Sequence, residues 1–120
     1  MGNAGAVRMV ESLVARFPEY TGAFEAHVFN EGGVLPHLFF GEVEEAVLEA
    51  FVVDDPEGLD WRGVLGFLDE QWRGGLPDVR GVVSASFLWG LPHPGRRGYG
   101  IVDQLPAALA QEYRRIRPGG

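Results

Sequence analysis

The chain contains no cysteine, which removes disulfides, thiolate metal sites and thiol nucleophiles together and fits a reducing compartment. It contains no lysine either: all ten basic residues are arginine, which, with the abundant glycine and alanine, points to a GC-rich genome. No apolar run approaches the roughly 18 residues that a membrane-spanning helix needs. The opening MGNAGAVRMVESLV lacks the unbroken apolar stretch of a secretion signal. Met1-Gly2 would suit myristoylation, but Ala6 stands where that signal needs Ser or Thr. The expectation is a soluble cytoplasmic protein without membrane contact.

A further absence concerns charge of one sign. Between Arg16 and Arg62 there is no basic residue, and that interval holds eleven acids. Residues 1–16 contribute +1 and residues 62–120 contribute +3, which with the −11 between them gives the net −7. Such polarity bears on partners and encounter rates rather than on fold. It also disfavours nucleic acid, whose phosphates call for a basic surface.

At 120 residues the chain is one domain by length. A chain of this size can hide about two-thirds of its unfolded surface. With 46% apolar residues it has the material to form a core. The apolar positions follow helical spacing for most of the length. Val7, Val10, Val14 and Phe17 mark a helix over 4–17, which Pro18 either ends or follows as the first residue of the next. Tyr20, Phe24 and Val28 mark a second, stopped by Gly32-Gly33. A third runs from Pro36 to about Val53, with Phe40, Val43, Val47 and Phe51 on one side, widened by Phe39 and Leu48.

Asp60 can cap a fourth helix bearing Trp61, Leu65, Leu68 and Trp72. Gly63 and Gly66 weaken it by about 1 kcal/mol each, and close approach of another helix is the expected reason for them. Pro77 opens a fifth segment, mostly apolar and rich in small residues, which reads as a buried helix or a buried strand. PHPGRRGYG at 92–100 is the longest loop, and Asp103 is the expected cap of a last helix with Leu105, Leu109, Tyr113 and Ile116 inward. Arg114, Arg115 and Arg117 suit the negative end of that helix.

The expected fold is therefore all-α, a single compact domain over 1–120 with five or six short helices. Segments 36–53 and 77–91 are central, residues 1–5 and 117–120 are loose tails, and HEAT-like stacking is one possible arrangement. The fallback is α+β, with a small sheet from 51–53 and 82–89.

Candidate chemistry is sparse. His37 with Glu42 and His27 could be drawn as a metal site, but there is no HExxH pair to hold the ion, so no metal is assigned. Ser84 or Ser86 with His93 and Asp78 could be drawn as a hydrolase triad. The stretch Val83-Ser84-Ala85-Ser86-Phe87 has no nucleophile elbow, and helical hydroxyls usually bond back to the preceding turn. The loop Pro94–Gly100 is basic, glycine-rich and aromatic, so it could hold a phosphate or stack a nucleotide, yet it lacks the Gly-Lys-Ser/Thr of a phosphate loop. No catalytic residue and no cofactor are assigned.

Leu35-Pro36-His37-Leu38-Phe39-Phe40-Gly41-Glu42 and Ser86-Phe87-Leu88-Trp89-Gly90-Leu91, after Phe67-Leu68-Asp69-Glu70, resemble segments of a family of small uncharacterised bacterial proteins. In that family a Pro-Glu pair, an LPH-type segment and an SFLE-x-L-type segment recur in this order, and Pro18-Glu19 matches the first. The resemblance covers roughly residues 10–115. Trp89-Gly90 replaces the Glu-Asn of the family pattern, so that acid is absent here. The resemblance implies a helical domain of unknown activity and assigns no catalytic residue. By association, small acidic helical proteins of this kind are often immunity proteins or antitoxins.

The leading functional expectation is a non-enzymatic binding protein, most concretely an immunity- or antitoxin-like inhibitor that presents an acidic helix to a basic protein. Glu42, Glu45, Glu49, Asp54, Asp55 and Asp60 would make the contact, with Trp61 or Trp72 as aromatic anchor if either is exposed. The alternatives are a small-ligand or enzymatic pocket near His37, His93, Arg96 and Arg97, or a structural oligomerisation domain burying Trp89 or Phe39. A monomer or weak homodimer is expected.

Overall fold

The computed structural model describes residues 2–119 and consists of helices and turns, with no strand among those residues. Six α-helices follow in order: α1 Ala4–Arg16, α2 Thr21–Glu31, α3 Pro36–Val53, α4 Trp61–Arg73, α5 Pro77–Val82 and α6 Ala107–Ile116. A 3-10 turn, Pro18–Tyr20, leads into α2, and another, Tyr99–Gln104, precedes α6. The apolar segment after Pro77 is helical throughout. α5 runs on without a break into a π-helical stretch, Val83–Leu88, where the Trp89 N–H donates five residues back to the Ser84 carbonyl at 3.0 Å. Neither piece of the fallback sheet forms.

Proline sets three helix starts. Pro18, Pro36 and Pro77 each sit in the first turn, where a missing N–H is harmless. Helix ends follow left-handed residues: Gly32 at φ 74° closes α2, and Asp54 at φ 55° closes α3. Asp60 caps α4 as its position suggests, its Oδ1 accepting from the Gly63 N–H at 3.0 Å. Two other caps come from far along the chain. Asp78 Oδ2 accepts from the Ala6 N–H at 2.9 Å, and Asp69 Oδ1 accepts from the Leu109 N–H at 3.2 Å. Asp103 therefore does not cap α6; it lies within the 3-10 turn while a buried carboxylate of α4 does the work.

α3 is the centre. The π segment, α4, α1 and α5 all pack on it, α6 closes over α4 and the π segment, and α1 meets α5. That last contact makes the helices close on one another, unlike a solenoid whose repeats touch only their neighbours. Phe39, Phe40, Val43 and Val47 of α3 are fully buried, with Met9, Leu13, Leu68, Phe87 and Leu109 around them. Phe39 makes T-shaped contacts with the rings of Tyr20, Phe24 and His27 at centroid distances of 6.3, 5.9 and 5.3 Å, which docks α2 and the turn before it onto α3. The inward face of α1 is Ala6, Met9, Val10 and Leu13, turned away from the expected Val7 and Val14, which are only half-buried. Of the expected loose ends, Ala4 and Gly5 are helical and Arg117 is buried, while Met1 and Gly120 lie outside the described residues. No helix among the described residues is long and apolar enough to cross a membrane.

Of the two helical glycines in α4, Gly63 faces the Phe17 ring and the capping Asp60, so a side chain there would collide. Gly66 has nothing within 4 Å, so close helix approach does not explain it.

Candidate functional site

Glu42, Glu45 and Glu49 fall at spacings of three and four on α3 and share one exposed face. Opposite them stands the Pro18–Tyr20 turn and the start of α2. Together they form an open cleft of about 560 Å³. Its walls are Glu19, Glu42, Glu45 and Glu49, and its floor is Tyr20, Ala23, Ala46 and Leu59. The floor is fixed from beneath, since the Tyr20 hydroxyl reaches the Val43 carbonyl at 3.4 Å and burial pushes its phenol pKa upward. Four carboxylates thus ring an apolar base.

One cation answers them. Arg97 leaves the 92–98 loop and pairs with Glu49 at 3.0 Å, holding the Glu49 pKa below the usual carboxylate range through its hydrogen bond and then its charge. Gly98 makes this return possible, with φ 84° and its α-carbon against Leu48 and Val52 of α3. Glu19, Glu42 and Glu45 enter none of the ion pairs among the described residues.

The remaining acids of the expected face do not join this cleft. Asp54 turns the chain at the end of α3 and borders a separate hollow with Trp61 and Gly98. Asp55 Oδ1 accepts from the Glu57 N–H at 2.9 Å and shapes the following turn, and Asp60 is used as the cap of α4. Trp61 is no anchor: it is 5% exposed, with the Phe51 ring edge-on at 5.0 Å and the Arg62 guanidinium 4.2 Å above it. Trp72 is half-buried beneath Arg80 at 4.8 Å. The tryptophan that does meet solvent is Trp89, 60% exposed, whereas Phe39 is fully buried and cannot form a contact between copies.

The alternative pocket does not assemble. His37 Nδ1 meets Ser86 Oγ at 2.6 Å, His93 Nδ1 accepts from Arg117 Nη2 at 2.8 Å, Arg97 holds Glu49, and the Arg96 side chain is exposed. The imagined triad is dispersed as well. Ser84 donates to Glu112 at 2.8 Å, Ser86 bonds His37, and Asp78 caps α1, so neither hydroxyl bonds back to its own helix. His27 Nε2 accepts from the Leu35 N–H at 3.0 Å and tethers the chain before α3. No group of three His, Asp or Glu among the described residues could hold a metal ion.

Two groups escaped the reading of the sequence. Glu19 completes the acidic cleft although it lies some twenty residues before Glu42, and only the fold brings it there. Glu44 points to the other side of α3, half-buried beside Gly90, and desolvation together with the neighbouring Glu45 pushes its pKa up to about 7. Comparison with family models, with curated proteins and with solved structures finds no match for the chain.

Proposed function

We propose that the protein is a non-enzymatic binding module whose cleft between the Pro18–Tyr20 turn and α3 takes a basic segment of a partner protein. The observation that supports this is the ring of Glu19, Glu42, Glu45 and Glu49 around an apolar floor, of which Glu49 alone enters an ion pair among the described residues, with Arg97. An arginine or lysine of a partner would lay its methylene stem on Tyr20, Ala23, Ala46 and Leu59 and bring its charged head to the carboxylates. The surrounding negative field speeds such an encounter and makes it sensitive to salt. The finer reading is a cytoplasmic immunity- or antitoxin-like inhibitor of a basic toxin, by association with small acidic helical proteins of that kind.

The test uses tagged protein and the reversal Glu42→Arg with Glu45→Arg. Both side chains are exposed and unpaired, so the fold should persist. A basic protein captured by the wild type at low salt should bind the variant at least tenfold more weakly, and binding should fade as salt rises. Asp54→Asn with Asp55→Asn should change little, because those residues lie outside the cleft. Equal capture by wild type and reversal would sink the proposal.

A further inference from the structure

A second cleft, of about 350 Å³, lies between the Tyr99–Gln104 turn and α6. Tyr99, Asp103, Leu105, Tyr113, Arg114 and Arg117 form its principal walls. Its size falls at the lower end of the range typical of small-molecule sites, about 300–1,000 Å³.

Arg117 is what sets this cleft apart. The buried charged residues are Asp69, Glu112 and Arg117. Asp69 pairs with Arg73 at 2.9 Å and Glu112 with Arg115 at 2.7 Å. Arg117, only 6% exposed, enters no ion pair among the described residues. A charge withdrawn from water without a counter-ion is unfavourable, because solvation is lost and nothing of opposite sign replaces it. Dipoles compensate in part: Nη1 donates to the Leu91 carbonyl and to the Trp89 carbonyl at 3.3 Å, Nη2 donates to His93 Nδ1, and the Tyr113 ring lies 5.1 Å away. A guanidinium has five N–H donors, so Nε and one Nη2 hydrogen are left over.

Arg114, one residue beyond Tyr113, is exposed and also enters no ion pair among the described residues. Two arginines and one carboxylate, Asp103, therefore line a cleft whose other walls are aromatic and apolar. The cleft carries a net positive charge on a chain of net −7.

We propose that this cleft binds a small organic anion: a carboxylate or phosphate borne on a flat ring. The anion would sit between Arg114 and Arg117, which suit planar oxyanions because their donors form a fixed fork. The ring would lie against Tyr99, Tyr113 and Leu105. Asp103 would accept from a donor elsewhere on the ligand. This site is independent of the acidic cleft and stands or falls separately from it.

The test is an NMR titration of the full chain at constant ionic strength with benzoate, phenyl phosphate and uncharged benzamide. Saturable shifts at Tyr99 and Tyr113 are expected with at least one anion. Benzamide should bind at least tenfold more weakly, and Arg114→Gln should weaken the anion at least tenfold. The tighter of benzoate and phenyl phosphate identifies which oxyanion the site takes. Absence of saturable shifts with both anions at millimolar concentration overturns the proposal. So does benzamide binding as well as benzoate, or an Arg114→Gln affinity equal to that of the wild type.

Discussion

Replacing Glu44 with glutamine should stabilise the protein, by an amount that grows with pH. In the fold this carboxyl is half-buried beside Gly90 and next to Glu45, and its pKa rises from 4.5 to about 7. A raised pKa means that the folded state holds the proton more tightly than the unfolded chain does. Below pH 4.5 both states are protonated and the residue carries no electrostatic penalty. From there to about pH 7 the unfolded chain ionises first, so stability is progressively lost as pH rises, and above pH 7 the loss is constant. The interval from 4.5 to about 7, at about 1.36 kcal/mol per unit, sets a ceiling of roughly 3 kcal/mol. Water reaches about half of the side chain and screens it, so about 1–2 kcal/mol is expected. Glutamine keeps the shape and removes the charge. Urea unfolding of both proteins at intervals from pH 4 to 8 reads the difference directly. The curves should lie close together near pH 4 and separate by about 1–2 kcal/mol above pH 7. A separation that is the same at every pH would refute the reasoning, since a packing effect does not titrate.

Gly98→Ala should cost about 2–3 kcal/mol, combining a left-handed backbone with a collision against Leu48. Gly75→Ala, at φ 82° with open space around it, should cost only the backbone share of about 1 kcal/mol in the same thermal or urea melts. Asp69→Ala should cost about 2 kcal/mol and speed amide exchange at the start of α6, because it leaves the buried Leu109 N–H without an acceptor. Asp69→Asn, which retains that acceptor, should recover most of the loss. The Glu42→Arg/Glu45→Arg and Arg114→Gln variants test the two clefts, and each should leave the melting transition of the other cleft's variant untouched.

Much of the fold was legible because local signals agreed with one another. α3 begins at Pro36 and ends at Val53 as its apolar spacing and the following Asp54-Asp55-Pro56 suggest, and Asp60 caps α4 as a residue of its type before a helix should. The errors arose where distant contacts decide. The face of α1 turned because Ala6 lies under the Asp78 cap and Met9 fits the core, neither of which valine spacing reveals. Trp61 is hidden because Phe51 meets it from the preceding helix. For the acidic cleft, helical spacing alone groups Glu42, Glu45 and Glu49. It cannot show that Glu19 joins them, that Arg97 returns to neutralise Glu49, or that Asp54, Asp55 and Asp60 are taken up by turns and a cap. Arg117 was read as a complement to a helix end, and nothing in the run Arg114-Arg115-Ile116-Arg117 says that one of its three guanidinium groups is buried without a counter-ion among the described residues.

The borrowed caps have a consequence for how the chain comes to be folded. The first turn of α1 takes its acceptor from Asp78, 72 residues later, and α6 takes its own from Asp69, 40 residues earlier. During synthesis α1 leaves the ribosome long before its acceptor does, and until then its leading N–H groups have only water. A helix of 13 residues is marginal on its own in water. The nascent segment should therefore remain loosely coiled, open to chaperones and proteases, and gain its helix only when the α5 region arrives to complete it. Folding of the two ends is tied to the middle, so fragments cut between α3 and α4 should show little helix, and the whole chain should unfold in one cooperative step.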